Sequence, residues 1–308
     1  MRLGVLDGTA DRVASEDEIS DTTGIAIPVL RRYLRTLQAI GLVVELSPGN
    51  YTGTPMAELL RSDGGALYGQ ALMAGTDYYQ AWSELDHALI TGTSAFARVY
   101  GGTLWQHFAT QPSSAASFAR TMGWNSGRVL QEVLNLYNFP DSGLVLDLGA
   151  GDGTLIAGIL RVKKHLRGMA LEQPPMVPFT RQTIVEQGLS ERCEVVAGDL
   201  LQPGLPPADI YLLKSVLHNW DDQTALAILR NCRDAMKPNG RLLLVERGMD
   251  ASDPIGSGLR DLTMLVLFGA RDRTVDEHSR LLRDAGFITQ TVYLGSSGLF
   301  IVEAEAAG

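Results

Sequence analysis

The segment LVLDLGAGDGT, Leu144–Thr154, is an apolar run that leads into a glycine-rich turn and then into the helical pattern LIAGILRVKK. The apolar run predicts a buried strand. Gly149 and Gly151 permit positive φ angles and allow a ligand to approach the backbone closely. A strand, a glycine turn and a helix in this order predict an α/β domain with a mostly parallel sheet.

The residues around the turn discriminate between ligands. A dinucleotide-binding turn has its third glycine at the position that Thr154 occupies here. Asp147 at the strand end and Asp152 in the turn would repel a pyrophosphate at the helix N-terminus. S-adenosylmethionine carries an ammonium and a sulfonium but no phosphate. The turn therefore favours S-adenosylmethionine over NAD.

Two more acidic residues stand at predicted strand ends. GMALEQPP places Glu172 at the end of the second strand, where a carboxylate can accept hydrogen bonds from both ribose hydroxyls. EVVAGDLL places Asp199 at the end of the third strand. Any one of these acids could instead be a helix cap. Together with Asp147 they predict an acidic site for a cationic ligand.

A histidine follows the fourth predicted strand. This strand is DIYLLK, residues 209–214, and the fifth is RLLLVE, residues 241–246. Asp221 or Asp222 is predicted to cap the helix between them. His218 then lies just past the carboxyl end of the fourth strand, which is the edge where open α/β sheets bind ligands. A capping or core role is the alternative for this histidine.

The first 62 residues predict a winged-helix shape. Ser15 and Glu18 have the spacing of a capping box, and Pro28 stands in the first turn of the next helix. LVVEL, a turn over residues 47–50 and YTGT predict a hairpin. The apolar positions of the second helix, which predict its buried face, are Leu30, Tyr33, Leu34, Leu37 and Ile40.

The charge balance disfavours nucleic acid as a partner. Arg31, Arg32 and Arg35 lie on the polar face of the second helix, but residues 1–62 carry six basic and eight acidic residues. The whole chain has a formal net charge of -9, whereas phosphate binding needs a basic surface. We expect a solvated helix face and a dimerisation or lid role.

Length and composition predict two domains and a cytoplasmic protein. The 308 residues suffice for two cores, and the linker NFPDSG divides a helical, winged-helix-like domain, residues 1–137, from a catalytic domain, residues 138–308. Cys193 and Cys232 cannot form a disulfide framework and have no metal-ligand spacing with histidines. No apolar run approaches the length of a membrane span. We expect no metal and no membrane partner.

The motifs DLGAGDGT, GDLL, LLKSVLHNWDD, LLLVERG and RDRT, in this order, resemble the class I O-methyltransferases of the caffeate and acetylserotonin type, in their bacterial small-molecule tailoring branch. The resemblance spans nearly the whole chain, and its most specific element is the Leu-His-x-Trp-Asp run. It implies a C-terminal Rossmann-like domain with a mostly parallel seven-stranded sheet and an antiparallel last strand. It also implies transfer of a methyl group from S-adenosylmethionine to a phenolic hydroxyl of a small secondary metabolite, leaving S-adenosylhomocysteine.

The resemblance assigns His218 as the general base, flanked by carboxylates that match Glu246 and Asp272. A neutral imidazole can take the proton of a phenol at pH 7. Asp272 stands where the family usually has glutamate. Because aspartate is shorter, we expect Glu246 to be the carboxylate that reaches His218.

The resemblance also assigns the two binding sites. It places Gly149 at the methionine end of the cofactor, Glu172 at the ribose, where aspartate is usual, and Lys214 at the methionine carboxylate. The remaining positions matched to the cofactor are Asp147, Gly151, Asp199, Leu200, Ser215 and Trp220. The positions matched to a small aromatic substrate, each of which could equally be core, are Phe118, Met122, Trp124, Asn125, Met264 and Phe268.

Relatives of this type are usually homodimers. The chain begins where most of them are already some tens of residues along, so we expect the segment that normally links two subunits to be short or missing. A homodimer is expected to form through the remaining helices.

Two other functions are open. The first is a relative that keeps the fold and cofactor but methylates nitrogen, or hydroxylates, decarboxylates or cyclises its substrate. Retention of His218 and Glu246 argues against loss of methyl transfer. The second is a winged-helix regulator that senses S-adenosylmethionine, and the acidic charge balance argues against it.

Overall fold

The computed structural model describes residues 3–10, 12–248 and 252–307. The chain forms two compact units, Met1–Thr76 and Asp77–Gly308. The predicted boundary between residues 137 and 138 falls inside the second unit, and the division into a lid domain and a catalytic domain stays a prediction. Within the described ranges, no helix is both long and apolar enough to cross a membrane.

The first unit combines short helices with a small antiparallel sheet of order β1-β3-β2. Its elements in the described residues are α1 (Val5–Thr9), β1 (Ala14–Ser15), α2 (Glu16–Thr23), α3 (Ile27–Ala39), β2 (Val43–Ser47), β3 (Asn50–Gly53), α4 (Pro55–Glu58) and α5 (Tyr68–Ala74). This arrangement of helices and a hairpin confirms the predicted winged-helix-like unit.

The predicted start of α2 is confirmed in atomic detail. The Glu18 backbone N–H donates to Ser15 Oγ at 3.2 Å, and the Ser15 N–H donates to Glu18 Oε2 at 2.8 Å. Pro28 stands in the first turn of α3, as predicted. The first N–H groups of a helix have no partner within the helix. The capping box supplies an acceptor for one of them, and Pro28 has no N–H group that needs one.

The predicted buried face of α3 is partly wrong. Leu30, Leu34 and Leu37 are buried, but Tyr33 is 39% exposed and Ile40 is 56% exposed. The three leucines follow the spacing of one helix face, whereas Tyr33 lies beside that face and Ile40 is the C-cap, beyond the last helical residue. Apolar residue type alone therefore did not distinguish the buried positions of α3 from the exposed positions next to them.

Arg31 on the polar face of α3 forms an intramolecular ion pair. Its Nε donates to Glu16 Oε2 at 2.7 Å, and Nη2 contacts the other oxygen of the same carboxylate. One of the three arginines that suggested phosphate binding is therefore neutralised within the unit. The absence of a nucleic-acid role stays a prediction.

The second unit begins with helices and continues into an alternating α/β pattern. The helices before the sheet are α6 (Asp77–Trp82), α7 (Leu85–Thr91), α8 (Ala95–Tyr100), α9 (Leu104–Thr110) and α10 (Pro112–Leu136). The strands are β4 (Ser142–Leu148), β5 (His165–Glu172), β6 (Cys193–Ala197), β7 (Ile210–Lys214), β8 (Arg241–Arg247), β9 (Phe287–Leu294) and β10 (Leu299–Ala306). The later helices are α11 (Thr154–Val162), α12 (Val177–Glu186), α13 (Asp222–Ala235), α14 (Pro254–Phe268) and α15 (Val275–Asp284).

The sheet has the predicted topology. Its order is β6-β5-β4-β7-β8-β10-β9, and β10 runs antiparallel to both β8 and β9 while the other neighbours are parallel. The chain moves outward from β4 through β5 to β6 and then returns to place β7 on the other side of β4. Such a reversal opens a crevice at the carboxyl ends of the two central strands.

Both faces of the sheet are covered. Alternate strand residues such as Val145 and Leu212 pack with α10, α11 and α12 on one face. Their neighbours, such as Leu146 and Leu213, pack with α13 and α15 on the other. Burial on both faces explains why the strands are continuous apolar runs.

We predict that Leu212→Ala in β7 lowers the free energy of unfolding by about 2 to 5 kcal/mol, because it leaves a cavity at a fully buried position. Leu294→Ala in β9, at a side chain that is 71% exposed, should change it by less than about 0.5 kcal/mol. Urea unfolding of both variants measures the difference. Equal losses would contradict the central position of β7.

Candidate active site

A cleft opens at the carboxyl ends of β4, β5 and β7. About 770 Å³ of space in it, open solvent included, is not filled by protein atoms. The residues that line it are Trp105, Phe118, Met122, Ser126, Asp147, Gly149, Ala150, Gly151, Leu155, Leu171, Glu172, Gln173, Gly198, Leu200, Lys214, Ser215, Val216, Asn219 and Trp220. The cleft thus contains most of the positions that the sequence predicts for the cofactor.

The glycine turn after β4 has the backbone conformation that the sequence predicts. Gly149 and Gly151 have φ angles of 71° and 63°, a region that side chains with a Cβ rarely adopt. A Cβ at Gly149 would come within 3.0 Å of Val216 Cγ2. The Gly151 N–H donates to Glu172 Oε1 at 2.7 Å, so the turn is tied to the end of β5.

Asp147 and Glu172 place two buried carboxyl groups in the cleft. Burial raises the pKa of each to about 7, and in the case of Asp147 the neighbouring Glu172 contributes to this shift. Glu172 accepts backbone hydrogen bonds from Gly151 and Gln173, which counteract part of its shift. A cation that enters the cleft will favour the ionised form of both groups.

Lys214 is the cation of the cleft at the end of β7. Burial lowers the pKa of its ammonium, while the charges of Glu246 and Asp147 oppose that shift. Its Nζ lies 3.3 Å from Ser126 Oγ on α10. The side chain lines the cleft, where its ammonium can bind a carboxylate.

Asp199 is the predicted acid that does not line the cleft. Its side chain is exposed, and its Oδ1 accepts a hydrogen bond from the Leu201 N–H at 3.0 Å. Its neighbours Gly198 and Leu200 do line the cleft. The cofactor role of Asp199 stays a proposal for a residue at the rim.

His218 lies on a 3-10 turn, Leu217–Asn219, directly after β7. Its Nδ1 is 3.0 Å from Asp272 Oδ1 and 3.8 Å from Glu246 Oε2. Val216, Asn219 and Trp220 of the same segment line the cleft, whereas the imidazole itself is not part of the lining. With its Nδ1–H donating to Asp272, the ring presents Nε2 as the proton acceptor.

Our expectation that the shorter Asp272 would not reach His218 is wrong, because Asp272 is the nearer of the two carboxyl groups. Asp272 Oδ2 accepts a 2.7 Å hydrogen bond from Arg260 Nε, so the loop after α14 holds this shorter side chain against the imidazole. Burial acts to raise the pKa of the Asp272 carboxyl, but the hydrogen bond from His218 and the charge of Arg260 outweigh it and lower the pKa. Asp272 therefore faces His218 as a carboxylate.

Glu246 holds the backbone next to His218. Its Oε1 accepts hydrogen bonds from the Val216 and Leu217 N–H groups, each at 3.2 Å. Burial raises the pKa of this carboxyl, while the charge of His218 acts to lower it. Glu246 thus supports the turn, and Asp272 supports the ring.

An aromatic wall closes one side of the cleft. Trp105, Phe118 and Met122 line it, and the Trp105 ring stacks on Phe268 at a centroid distance of 5.7 Å and an interplanar angle of 28°. Met264 is buried on α14. Of the predicted substrate positions, Trp124, Asn125, Met264 and Phe268 do not line the cleft itself, and Trp124 instead packs under the Arg128 guanidinium.

The sequence matches the family model described as an O-methyltransferase domain over residues 82–288, more than half of the chain. The chain belongs to the O-methyltransferase family. It is a methyltransferase that depends on S-adenosylmethionine.

Similar proteins cover nearly the whole methyltransferase. The phenazine O-methyltransferase of Lysobacter antibioticus is 37% identical over 306 residues, which are 99% of this chain and 90% of the relative. The crystal structure of NcsB1, an O-methyltransferase from neocarzinostatin biosynthesis in complex with S-adenosylhomocysteine and 1,4-dihydroxy-2-naphthoic acid, has a TM-score of 0.84 and 31% identity. It covers 99% of this chain and 93% of that chain.

The relatives differ in their chemistry. A phenazine-1-carboxylate N-methyltransferase of Pseudomonas aeruginosa is 29% identical over 99% of this chain and 91% of its own length. An aclacinomycin 10-hydroxylase of Streptomyces purpurascens is 32% identical over 87% of this chain and 74% of its own length. Similarity at this level shows the family and leaves the acceptor atom open.

The cleft of the methyltransferase fits its cofactor on one specific observation. Asp147 Oδ2 is buried in the cleft and has no hydrogen-bond partner among the described residues. An ammonium group would supply the missing donor, and the nearby Lys214 ammonium can pair with a carboxylate. An amino-acid moiety carries both groups. Within the same residues, no cluster of His, Cys, Asp or Glu is arranged to hold a metal ion.

Two residues that contact the cleft or the His218 turn of the methyltransferase could not be recognised from the sequence. Trp105 follows Thr103, whose capping box with Gln106 starts α9, and this spacing could have located the helix. Arg273 stands next to Asp272 in RDRT and is buried. Nothing in the local pattern indicates that either residue faces the cleft or the His218 turn, because both contacts join distant parts of the chain.

We predict that the affinity for S-adenosylmethionine falls as the pH is lowered through about 7. A cationic ligand favours ionised carboxyl groups, and the pKa of Asp147 and of Glu172 is raised to about 7 before the ligand binds. Protonation of one such group weakens binding about tenfold between pH 8 and pH 6. Isothermal titration calorimetry across this range measures the effect.

Asp147→Asn is the matched variant for this titration. It removes one of the two groups, so its affinity should be weaker at pH 8 and should depend less on pH. A wild-type affinity that stays constant from pH 6 to pH 8 would contradict the electrostatic role of these carboxyl groups.

Proposed function

We propose that the protein methylates a hydroxyl group on a planar aromatic secondary metabolite, with His218 as the general base. The observation that carries the proposal is the 3.0 Å hydrogen bond between His218 Nδ1 and Asp272 Oδ1. It holds one ring nitrogen of an imidazole on a segment that borders the cleft. A carboxylate bonded to one ring nitrogen orients the imidazole and stabilises the imidazolium that forms when the other nitrogen accepts a proton.

The proposed reaction assigns a task to each residue. S-adenosylmethionine, when bound, supplies the methyl group on a sulfonium. His218 Nε2 accepts the proton of the acceptor hydroxyl, and Asp272 stabilises the imidazolium that forms. A phenol is a poor nucleophile until this proton leaves. Trp105 and Phe118 orient the aromatic ring and exclude water from the reacting oxygen.

The wall of the cleft supports a flat acceptor. Trp105 and Phe268 lie nearly parallel, and Phe118 meets Trp105 edge-on at 5.7 Å and 88°. Aromatic rings prefer such stacked and edge-to-face partners. Since similar proteins are named for phenazine chemistry or contain a naphthoic acid, we propose a fused-ring phenol as the acceptor class.

N-methylation and hydroxylation are the alternatives that relatives suggest. A ring nitrogen with a free lone pair needs no base, so the hydrogen bond between His218 and Asp272 favours a hydroxyl acceptor in this chain. Product mass separates the options, because methylation adds about 14 Da and hydroxylation about 16 Da. The position of the methyl group follows from carbon NMR of the product.

We predict that His218→Ala lowers kcat on a fused-ring phenol by about 10² or more, because general-base catalysis contributes on this order. S-adenosylmethionine should bind with unchanged affinity. Turnover of a panel of hydroxyphenazines and hydroxynaphthoates, measured with labelled methyl donor, gives the rates.

His165→Ala is the matched control, because His165 is an exposed histidine at the start of β5. It should retain wild-type turnover. If His218→Ala also retains it on every accepted substrate, the general-base proposal fails. If only amine or ring-nitrogen acceptors are methylated, N-methylation replaces O-methylation.

We further predict that Asp272→Asn lowers kcat more than Glu246→Gln does. Asparagine at position 272 cannot stabilise an imidazolium by charge, and a loss on the order of 10² is expected. Glutamine at position 246 can still accept the backbone hydrogen bonds of Val216 and Leu217. Steady-state kinetics of the two isosteric variants provide the comparison, and the reverse order would return Glu246 to the role of ring partner.

A homodimer and a cytoplasmic location are part of the proposal. The first rests on the family resemblance, and the second rests on composition. Analytical ultracentrifugation tests the homodimer directly, with a monomer as the contradicting result.

A further inference from the structure

Arg273 is a fully buried arginine beside the proposed base. Its side chain is 1% exposed. Nη1 donates to the Leu217 carbonyl and Nη2 donates to the Trp220 carbonyl, each at 2.7 Å. Leu217 is the first residue of the turn that carries His218, and Trp220 directly follows its last residue. One planar cation therefore bridges the turn from end to end.

Two backbone N–H groups at the start of this turn are held by a carboxyl group. Glu246 accepts hydrogen bonds from the Val216 and Leu217 N–H groups, whereas the Arg273 guanidinium donates to the Leu217 and Trp220 carbonyls. The support is needed because the turn is a single 3-10 turn, whose internal hydrogen bonds have poor geometry. It also follows Ser215, whose φ of 55° is unfavourable for a residue with a side chain.

We propose that Arg273 is a positioning residue for methyl transfer. It fixes the backbone of His218, while its chain neighbour Asp272 fixes the ring. This inference rests on the proposed role of His218 as general base. A displacement of the imidazole by about 1 Å is enough to lower the rate strongly.

The chemistry of the contact requires arginine. Asp222 Oδ1 accepts from Arg273 Nε at 2.9 Å and from Nη2 at 2.7 Å, which compensates the buried charge. The guanidinium therefore donates in three directions from one rigid plane. A lysine ammonium is a single point of donation and cannot bond both carbonyls and the carboxylate with the same geometry.

The test is a double-mutant cycle between positions 273 and 218. Arg273→Lys should lower kcat at saturating donor and acceptor by about 10- to 100-fold. In the His218→Ala background the same substitution should change the residual rate by less than about twofold, because the base that Arg273 positions is absent. Single-turnover assays with labelled methyl donor can measure both rates.

Arg192→Lys is the matched control for Arg273→Lys, because Arg192 is also an arginine that donates to backbone carbonyls. Arg192 donates to the carbonyls of Leu160 and Lys164 at 3.0 Å and 3.1 Å, near the opposite end of β5. This variant should lower the melting temperature but leave kcat unchanged. It separates loss of stability from loss of positioning.

A second variant covers the case in which Arg273→Lys does not fold. Asp222 is exposed, so Asp222→Ala removes the carboxylate partner of the Arg273 guanidinium without changing a buried side chain. Its kcat should fall severalfold, again without a further effect in the His218→Ala background. Asp221→Ala is the neighbouring control, because it removes the acid that caps α13 through the Thr224 N–H but leaves the hydrogen bonds of Arg273 to Asp222 in place, and it should keep the wild-type kcat.

The outcomes distinguish the two proposals. Losses of the same size with and without His218 mean that Arg273 is merely structural and overturn its positioning role. Wild-type kcat in a folded Arg273→Lys variant does the same, and either result leaves the general-base proposal intact. Unchanged turnover of His218→Ala overturns the general base and the positioning role together.

Discussion

The hydrogen bond between His218 Nδ1 and Asp272 Oδ1 is the constraint on which the rest of the site depends. It joins two segments that are 54 residues apart in the chain. Asp272 is in turn held by Arg260 Nε at 2.7 Å. An imidazole with one nitrogen fixed in this way has a defined tautomer and a defined direction for the other nitrogen. The surrounding contacts act mainly to keep this geometry.

The sheet brings the turn that carries His218 to the edge of the cleft. β4 and β7 are adjacent, so the acidic end of β4 and the His218 turn after β7 meet at the same edge. The cost of this arrangement is electrostatic, because Asp147 and Glu172 are buried close to each other and their pKa values are raised to about 7. A positive charge in the cleft would favour the ionised form of both carboxyl groups, which is why we predict that cofactor affinity depends on pH.

Much of the fold and part of the site could be predicted from sequence, for a physical reason. Strand ends in a parallel sheet converge, so acids such as Asp147 and Glu172 could be placed together from local patterns alone. Tyr33 could not be assigned correctly, because neighbouring positions on a helix differ in burial according to what packs against them. Arg273 and Trp105 act through contacts with distant segments. Local sequence carries no signal for such contacts.

The choice between Asp272 and Glu246 shows the same limit. Side-chain length favoured Glu246, but the position of the loop after α14 decides which carboxylate reaches the imidazole. Once that loop brings Asp272 to 3.0 Å, Glu246 is left to bind the backbone of the turn. The carboxyl group that contacts the imidazole is therefore decided by the position of the backbone, which cannot be read from the residue type.

The most direct test of the central claim is a crystal structure with S-adenosylhomocysteine and a fused-ring phenol bound. The measured quantity is the distance from the acceptor hydroxyl oxygen to His218 Nε2. We predict a hydrogen bond of about 3.2 Å or less, with Asp272 still bonded to Nδ1. A hydroxyl bound out of reach of the imidazole, with no water joining them, would contradict it.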